Sequence, residues 1–359
     1  MPAPPRPTTL FDLDRNEMET RLAEHPRYRT EQLWSGLYQT LAPVEEISTL
    51  PAALKQELTS ELREALREVT QSVADGGDTV KTLWELDDGY RVESVLMHYP
   101  KRSTICVSTQ AGCAMACEFC ATGQAGFDRH LTVGEIVEQI VQGARRAAPR
   151  RLSNVVFMGM GEPLANLDAT WSAVERCHRD LGIGARHLTI STVGLVPGIK
   201  ALAERELPIS LAVSLHAAND ELRDRLVPIN RRYPIRELVA ACVEHRRISG
   251  RRVSFEWAMI DGVNDRSSDA DELAELARQA RAHVNLIPLN PTPGYPTVGS
   301  SRARIDDFVT ALERGGVTVT VRANRGTSID AACGQLSASE ALTIRPSRLR
   351  PNQAKVLPD

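Results

Sequence analysis

The sequence predicts an α/β fold, a partial (βα)6-type barrel preceded by a small helical N-terminal domain and an antiparallel β platform. Three observations carry this expectation. Apolar, β-branched runs recur at Ile105–Ser108, Asn154–Met158, His187–Thr192, Ile209–Leu215, Val253–Met259 and Val284–Leu289, with helical patterns such as Val133–Ala148 and Asp269–Arg281 between them. That alternation belongs to repeated βα units on a parallel sheet with right-handed crossovers. The six units fall short of the eight that close a barrel, so an open barrel is expected. Finally, polar or glycine-rich stretches follow five of the strands, where βα barrels place their chemistry.

In chain order, residues 1–28 open with "MPAPPRPTTLFDLD" and are expected as a flexible tail. Residues 29–75 read as short helices broken at "APVEEISTLP", with Leu33, Leu37 and Leu41 on one stripe and Leu58, Leu62 and Leu66 on another. These form a helical accessory domain. From Thr79 the pattern turns to strands: "TVKTLWEL", then "YRVESVLMHY" after the turn "DDG", then "TICVST", an antiparallel platform leading into the barrel. The main domain spans residues 76–336 and ends near a closing strand at Val317–Arg322; residues 337–359 form a C-terminal tail.

Composition excludes several classes. With 42% hydrophobic and 25% charged residues, the chain has the apolar content of a folded domain, unlike a disordered chain. No apolar run approaches the ~18 residues that would span a bilayer, and the N-terminus lacks the charged start and apolar centre of a signal peptide. A cytoplasmic protein with no membrane partner is expected. The net charge of −3 gives no global basic surface, although arginines pair at 145–146, 150–151, 231–232, 246–247 and 251–252 and recur at Arg302, Arg304, Arg322 and Arg325. Such clumps are more often solvated faces than phosphate sites. Seven cysteines in 359 residues make a weak case for a disulfide scaffold, and Cys177 and Cys242, inside helical patterns, are expected as buried fillers.

Three cysteines are clustered. "GCAMACEFC" brings Cys113, Cys117 and Cys120 within eight residues and offers no fourth ligand nearby. Structural zinc takes four closed ligands, so three thiolates would need a distant fourth, and that reading stays open. Soft thiolates also hold iron–sulfur clusters, normally through four cysteines; three leave one iron open to a substrate or cofactor. This loop follows the first barrel strand, while "GMGEPL" follows the second, "STVG" the third, "SLHAAND" the fourth and "NPTPG" the sixth. One shared pocket at the strand ends explains the recurrence.

The Cys-x3-Cys-x2-Cys loop, with Phe119 before its last cysteine, resembles that of the radical S-adenosylmethionine (SAM) superfamily, which binds a 4Fe-4S cluster on a partial βα barrel. Together with "TICVSTQAGC", "GFDRHLT", "VVFMGMGEPLAN", "AVSLHAAND", "LIPLNPTPG" and "SIDAACGQL", the likeness narrows to the RlmN/Cfr family of RNA methyltransferases and runs from about Arg29 to Leu336. It implies a dual-specificity enzyme that methylates carbon 2 of an adenine in the peptidyl-transferase centre of 23S rRNA and of the adenine 3′ to the anticodon in tRNAs. The fold class is then a radical SAM barrel, with 29–75 an RNA-binding domain. The implied cofactors are SAM and a 4Fe-4S cluster on Cys113, Cys117 and Cys120.

The resemblance also implies a route. Carbon 2 of adenine is electron-poor and cannot attack a sulfonium methyl group, so a radical route is needed. In the family a first SAM methylates a cysteine, here Cys333. A 5′-deoxyadenosyl radical takes hydrogen from that methyl group, and the methylene radical adds to adenine, joining protein to RNA. Cys106 matches the thiol that releases the product through a disulfide intermediate, and Glu93 matches the general base for the departing proton. Without the resemblance, alternation in the strand would turn Glu93 to solvent, and His216 would read as an ordinary satisfied histidine. Cofactor binding carries over to Gly161, Glu162, Ser191, Ser214, Leu215, His216 and Asn290, with Glu162 suited to the cationic amino group. The partners implied are 23S rRNA, tRNA and an electron donor of flavodoxin or ferredoxin type, for a monomeric enzyme. Two alternatives stand beside this reading: Cfr-like methylation of carbon 8, disfavoured by Pro163 of "GEPL", and a non-catalytic zinc-binding RNA-associated protein.

Overall fold

The structure, a computed structural model, describes residues 8–290, 292, 294–295, 297–323 and 325–336. Three helices come first, α1 (Arg15–Arg21), α2 (Tyr28–Tyr38) and α3 (Ala52–Glu61), followed by β1 (Leu66–Ala74), β2 (Thr79–Leu86), β3 (Arg91–Tyr99) and β4 (Arg102–Cys106). A small hairpin of β5 (Gln110–Gly112) and β6 (Phe127–His130) encloses the short helix α4 (Ala121–Ala125). Helix and strand then alternate through α5 (Val133–Ala147), β7 (Leu152–Phe157), α6 (Leu167–Arg179), β8 (Leu188–Thr192), α7 (Val196–Ala203) and β9 (Ser210–Ser214). The last part holds α8 (Asp220–Leu226), α9 (Ile235–Ser249), β10 (Val253–Met259), α10 (Ser267–Ala280), β11 (His283–Pro288), α11 (Arg302–Arg314) and β12 (Val319–Val321).

Apart from the hairpin, every strand joins one sheet in the order β1-β2-β3-β4-β7-β8-β9-β10-β11-β12. The pairs from β1 to β4 are antiparallel and those from β4 to β12 parallel. Thus β4 is both the last strand of the platform and the first of the barrel. The six expected barrel units are present in spatial order, and β12 adds a short seventh parallel strand. Helices cover the outer face, and α5 shows why. Thr132 and Glu135 form a reciprocal capping box at its start, and Ile136, Val137, Ile140 and Val141 make a buried stripe. Gly143 lets this helix approach β4 closely, because a Cβ there would lie 2.9 Å from the Ile105 side chain. Cys177 in α6 and Cys242 in α9 are fully buried, as expected of fillers. No helix among the described residues is long and apolar enough to cross a membrane.

Two expectations at the N-terminal end are corrected. Residues 8–28, expected within a flexible tail, are built into the fold: Asp14 and Glu17 cap α1 reciprocally, and Phe11 and Met18 are fully buried. Asp12 accepts hydrogen bonds from the backbone N–H of Thr9 (2.9 Å) and of Gly134 at the head of α5 (2.7 Å). The early prolines drew attention away from the Asp-x-x-Glu box that starts the helix. The helical reading of 29–75 also ends early, since Leu66, third in a leucine row at helical spacing, begins β1. Sheet pairing with β2 across the Asp75–Gly77 turn, where Gly76 and Gly77 adopt φ of 66° and 99°, outweighs the local spacing. Residues 1–7 and the expected C-terminal tail 337–359 lie outside the described residues.

The N-terminal correction can be measured. Phe11→Ala should lower unfolding stability by about 3–5 kcal/mol, the cost of an aromatic cavity. Urea titration would show this as a lower midpoint at unchanged slope. A loss below about 0.5 kcal/mol, typical of surface positions, would return this segment to a loosely attached tail.

Candidate active site

Registry across the sheet builds the site. Lys81, Val95, Cys106, Val156, Thr189 and Ser210 are successive partners from β2 to β9, so they share one face of the pleat. On this face lies a cavity with about 1500 Å³ of empty space, its mouth included, whose wall contains Val95, Cys106 and Val156. The loops at the C-terminal ends of the strands complete it. Of the expected site residues, Cys117, Cys120, Gly161, Glu162 and Ser191 line the cavity. So do Ser214, His216, Asn290 and Cys333. Cys113, Leu215 and Glu93 are not part of its wall: Leu215 packs in the core, and Glu93 lies two residues before Val95 on the same strand face.

The cysteine loop runs between β5 and α4. Cys113 and Cys117 are buried and Cys120 is partly so. Burial raises all three thiols above their ordinary range, Cys113 to about 12, and the charges of Cys120 and Cys113 raise Cys117 further. Three soft donors that penalise one another's ionisation suit a cationic centre that removes the penalty. Among the described residues no three His, Cys, Asp or Glu side chains converge on a single ion position. A cluster whose thiolates each bind a different iron asks for no such convergence.

Glu162 ends the loop after β7. Its carboxylate accepts hydrogen bonds from the backbone N–H of Leu164 (3.0 Å) and Val193 (2.8 Å), tying that loop to the one after β8. Burial pushes its pKa up from 4.5 to about 7, against these hydrogen bonds. Gly161 beside it has φ 105°, and a Cβ there would meet Gln110 at 2.6 Å, so only glycine serves. The Ser191 hydroxyl donates to the Phe157 carbonyl at 2.8 Å. Asn290 donates to the Cys333 carbonyl at 3.3 Å, while its buried Oδ1 has no hydrogen-bond partner among the described residues. Such an acceptor on a cavity wall calls for a ligand donor.

His216 is strained as well as buried. Its φ is 59°, and Asn264 donates to its carbonyl at 2.8 Å. Nδ1 accepts from the Ala258 N–H at 2.9 Å, the ring stands edge-on to Phe119 at 4.6 Å, and burial pulls its pKa down to about 3. The imidazole is therefore neutral, with its proton on Nε2.

On the same cavity, Cys333 is exposed and Cys106 is buried, and the Cys333 loop is tied to the end of the cysteine loop by the Ala121 N–H donating to the Gly334 carbonyl at 2.8 Å. Burial first, and then the charge of Cys333, push the Cys106 thiol up to about 12, so the two sulfurs interact across the cavity. Arg322 stands 3.8 Å from the Cys333 sulfur and 3.6 Å from Glu256. Glu93 is only 2% exposed and pairs with Lys81 at 2.9 Å, which corrects the solvent-facing position that alternation alone suggests. Neither Lys81 nor Glu256 was singled out from sequence, and Arg322 was only one of many arginines.

Residues 107–277 match the Radical SAM superfamily. The chain is 49% identical over 94% of its length to a probable dual-specificity RNA methyltransferase RlmN of Salinispora tropica, covering 94% of that protein. The chain belongs to the RlmN family. It is a radical SAM methyltransferase. Similar proteins of the same name occur in Parafrankia sp. (49% identical, 95% of this chain and 94% of the relative) and Thermobifida fusca (47% identical, 94% and 96%). The crystal structure of a radical SAM methyltransferase from Sphaerobacter thermophilus superposes with a TM-score of 0.90 at 50% identity, covering 92% of this chain and all of that one. Within this RlmN family member, Arg223 braces the site from below. Fully buried, it donates to the carbonyls of Leu215 (3.0 Å) and Val193 (2.6 Å) and to Asn230 (2.9 Å), locking the ends of β8 and β9 together. It was not singled out from sequence.

Proposed function

We propose that this protein methylates carbon 2 of adenine in 23S rRNA and in tRNAs, with Cys333 as methyl carrier, Cys106 as releasing thiol and Glu93 as general base. The observation that carries the reading is the convergence of four thiols on one cavity: Cys117 and Cys120 of the cysteine loop, Cys106 of β4, and Cys333 on a loop that the Ala121 N–H ties to the cysteine loop through the Gly334 carbonyl at 2.8 Å. Cys113, Cys117 and Cys120 would hold a 4Fe-4S cluster, and the SAM bound beside it would supply both the methyl group and a hydrogen-abstracting radical. Glu162 would receive the cofactor's ammonium group, and the free Asn290 Oδ1 a further donor. Ser191, Ser214, His216 and the backbone of Gly161, packed closely on Gln110, shape the remaining wall; Leu215 contributes its backbone, since its side chain lies in the core. The Cys106 thiolate attacks the Cys333 sulfur and forms a disulfide as the bond from that sulfur to the RNA methylene breaks, its pair staying on carbon, which takes up a proton to become the methyl group; a buried thiol and an exposed one therefore share the cavity.

RNA would approach from the other end of the barrel. A second cavity shares Tyr99, Val156, Met158, Glu256 and Arg322 with the first and opens among Arg102, Arg251 and Arg252. The Tyr99 ring lies between the guanidinium groups of Arg102 and Arg325, each 4.4 Å from its centre. Aromatic–arginine stacks beside free cations suit bases and phosphates. Arg145 and Arg146, by contrast, are engaged by Glu64 and Glu68 and are mostly covered, Arg145 donating to the Leu41 carbonyl and Arg146 lying over the Trp84 ring, so they do not form the solvated face that such clumps suggest. Electrons would come from a flavodoxin- or ferredoxin-type donor, and the enzyme would work as a monomer in the cytoplasm.

Incubation with SAM, a reductant and either an rRNA fragment or tRNA, followed by nucleoside mass spectrometry, tests the assignment. Methylation at carbon 2 is expected in both RNAs. Methylation at carbon 8 would transfer the protein to the Cfr-like reading, and a colourless zinc protein without activity would overturn both.

Glu162 adds a pH dependence with a definite sign. Its folded pKa of about 7 lies above the ordinary 4.5, so in the free protein its stability contribution is present at low pH and lost as pH rises through that window. A bound ammonium favours the carboxylate, so binding releases a proton below pH 7. SAM affinity should therefore rise with pH up to about 7 and then level off. Calorimetry in buffers of different ionisation enthalpy would count that proton, and Glu162→Gln should abolish its release. A proton count of zero in the unaltered protein at pH 6 would remove Glu162 from the ammonium site.

A further inference from the structure

Lys81 raises a question that the assigned chemistry leaves unanswered. Its side chain is 11% exposed, although it sits on a platform strand among apolar residues of the cavity face. Taking an ammonium out of water is costly unless it is paired and hydrogen-bonded, and an apolar side chain would fill the same space without that cost. The ammonium has two partners. It lies 2.9 Å from Glu93 Oε1 and 3.4 Å from the carbonyl of Asp330, three residues before Cys333. In the sheet Lys81 stands in the same row as Cys106, separated from it only by Val95, while Glu93 is one pleat further along the same face.

We infer that Lys81 is a positioning residue that clips the carboxylate of Glu93 to the loop carrying Cys333, so that the carboxylate meets the adenine carbon bonded to that cysteine. The inference rests on the proposed roles of Glu93 and Cys333. When the adduct forms, the methylated carbon is one methylene away from the Cys333 sulfur, and its place is set by the loop. The proton on that carbon leaves to a Glu93 oxygen and its bonding pair restores the aromatic ring, while the single electron left over from radical addition would pass back to the iron–sulfur centre proposed on Cys113, Cys117 and Cys120. Its ion pair fixes the orientation of the Glu93 carboxylate, and its hydrogen bond to Asp330 keeps the loop in register with that carboxylate.

This role separates two half-reactions. Transfer of the first methyl group to Cys333 needs no base at carbon 2, whereas breakdown of the RNA adduct does. Lys81→Met should methylate Cys333 as the unaltered protein does, yet turn over RNA about 10–100-fold more slowly, the usual cost of losing an orienting partner. It should accumulate protein–RNA adduct with Cys106 intact. With deuterium at carbon 2 of the target adenine, adduct breakdown should slow several-fold further in Lys81→Met and stay unchanged in the unaltered protein. Lys81→Arg, which keeps the cation, should restore breakdown.

Loss of Cys333 methylation in step with turnover, or adduct decay without an isotope effect, would reduce Lys81 to a structural residue and overturn the inference. Turnover at the unaltered rate would do the same. Should Lys81→Met not fold, Lys81→Gln against Lys81→Arg gives the same decision, with adduct expected only in the glutamine variant. If the unaltered protein itself forms no methylated RNA, it is the proposed function that fails, before Lys81 is in question.

Discussion

Cys117→Ala is expected to yield a folded, colourless protein that binds no iron and methylates neither Cys333 nor RNA. Cys117 sits in a satellite apolar cluster with Phe119, Ala217, Leu222, Leu226 and Ala258, apart from the main core. Alanine keeps that position apolar, so the fold should survive while the donor is lost. Three thiolates are the minimum for a cluster that leaves one iron to its cofactor, and two leave it exposed to solvent and oxidation. Cys113→Ala and Cys120→Ala should behave alike, because the charges of the three sulfurs already influence one another. Iron and sulfide analysis after anaerobic reconstitution measures the effect, with circular dichroism as the control for folding. Stoichiometric iron in any one variant would show that the ligand set is misassigned.

Cys106→Ala and Cys333→Ala should fail in opposite ways. Cys333 is exposed and reachable, whereas Cys106 is walled in by Val95 and Val156, its neighbours in the sheet row. In the proposed route the methyl acceptor acts first and then bridges to RNA, and the buried thiol is needed only to break the bridge by disulfide formation. Cys106→Ala should therefore still carry a methyl group on Cys333, consume SAM and accumulate a nuclease-sensitive shifted band on a denaturing gel. Cys333→Ala should show no covalent species. A shifted band from Cys333→Ala, or multiple turnovers by Cys106→Ala without an added thiol, would reverse or abolish these roles.

Legibility in the sequence followed the range of the determining interactions. The cysteine loop was plain because cluster ligands at short spacing are written in contiguous residues, and the βα beat was plain because each strand and helix carries its own periodicity. Misreadings arose where distant pairing decides. Leu66 continued a leucine row at helical spacing until β2 claimed it, and Phe11 looked like tail until the head of α5 was there to receive its neighbours. Lys81 and Arg223 were invisible as functional residues for the same reason. One gains its meaning from a register between β2 and β3, the other from carbonyls at the ends of two different strands, β8 and β9. Glu93 and Cys333 could be named only by resemblance, since nothing local marks a lone carboxylate in a strand or a lone thiol in a loop.

The continuity of the sheet through β4 has a consequence for anyone cutting or grafting this molecule. The segment that matches the superfamily, residues 107–277, begins one residue after Cys106. It excludes the clip of Lys81 and Glu93, and at its other end it stops short of Asn290, Arg322 and Cys333. A fragment with those bounds would retain the cysteine loop but lack the thiols and carboxylate proposed to handle the nucleic acid. It would also expose β7, which pairs with β4 in the whole protein, as an open edge prone to association. The transferable unit for engineering is thus the ten-stranded sheet with its N-terminal helices, and chimeras joined at the profile boundary should be insoluble, inert or both.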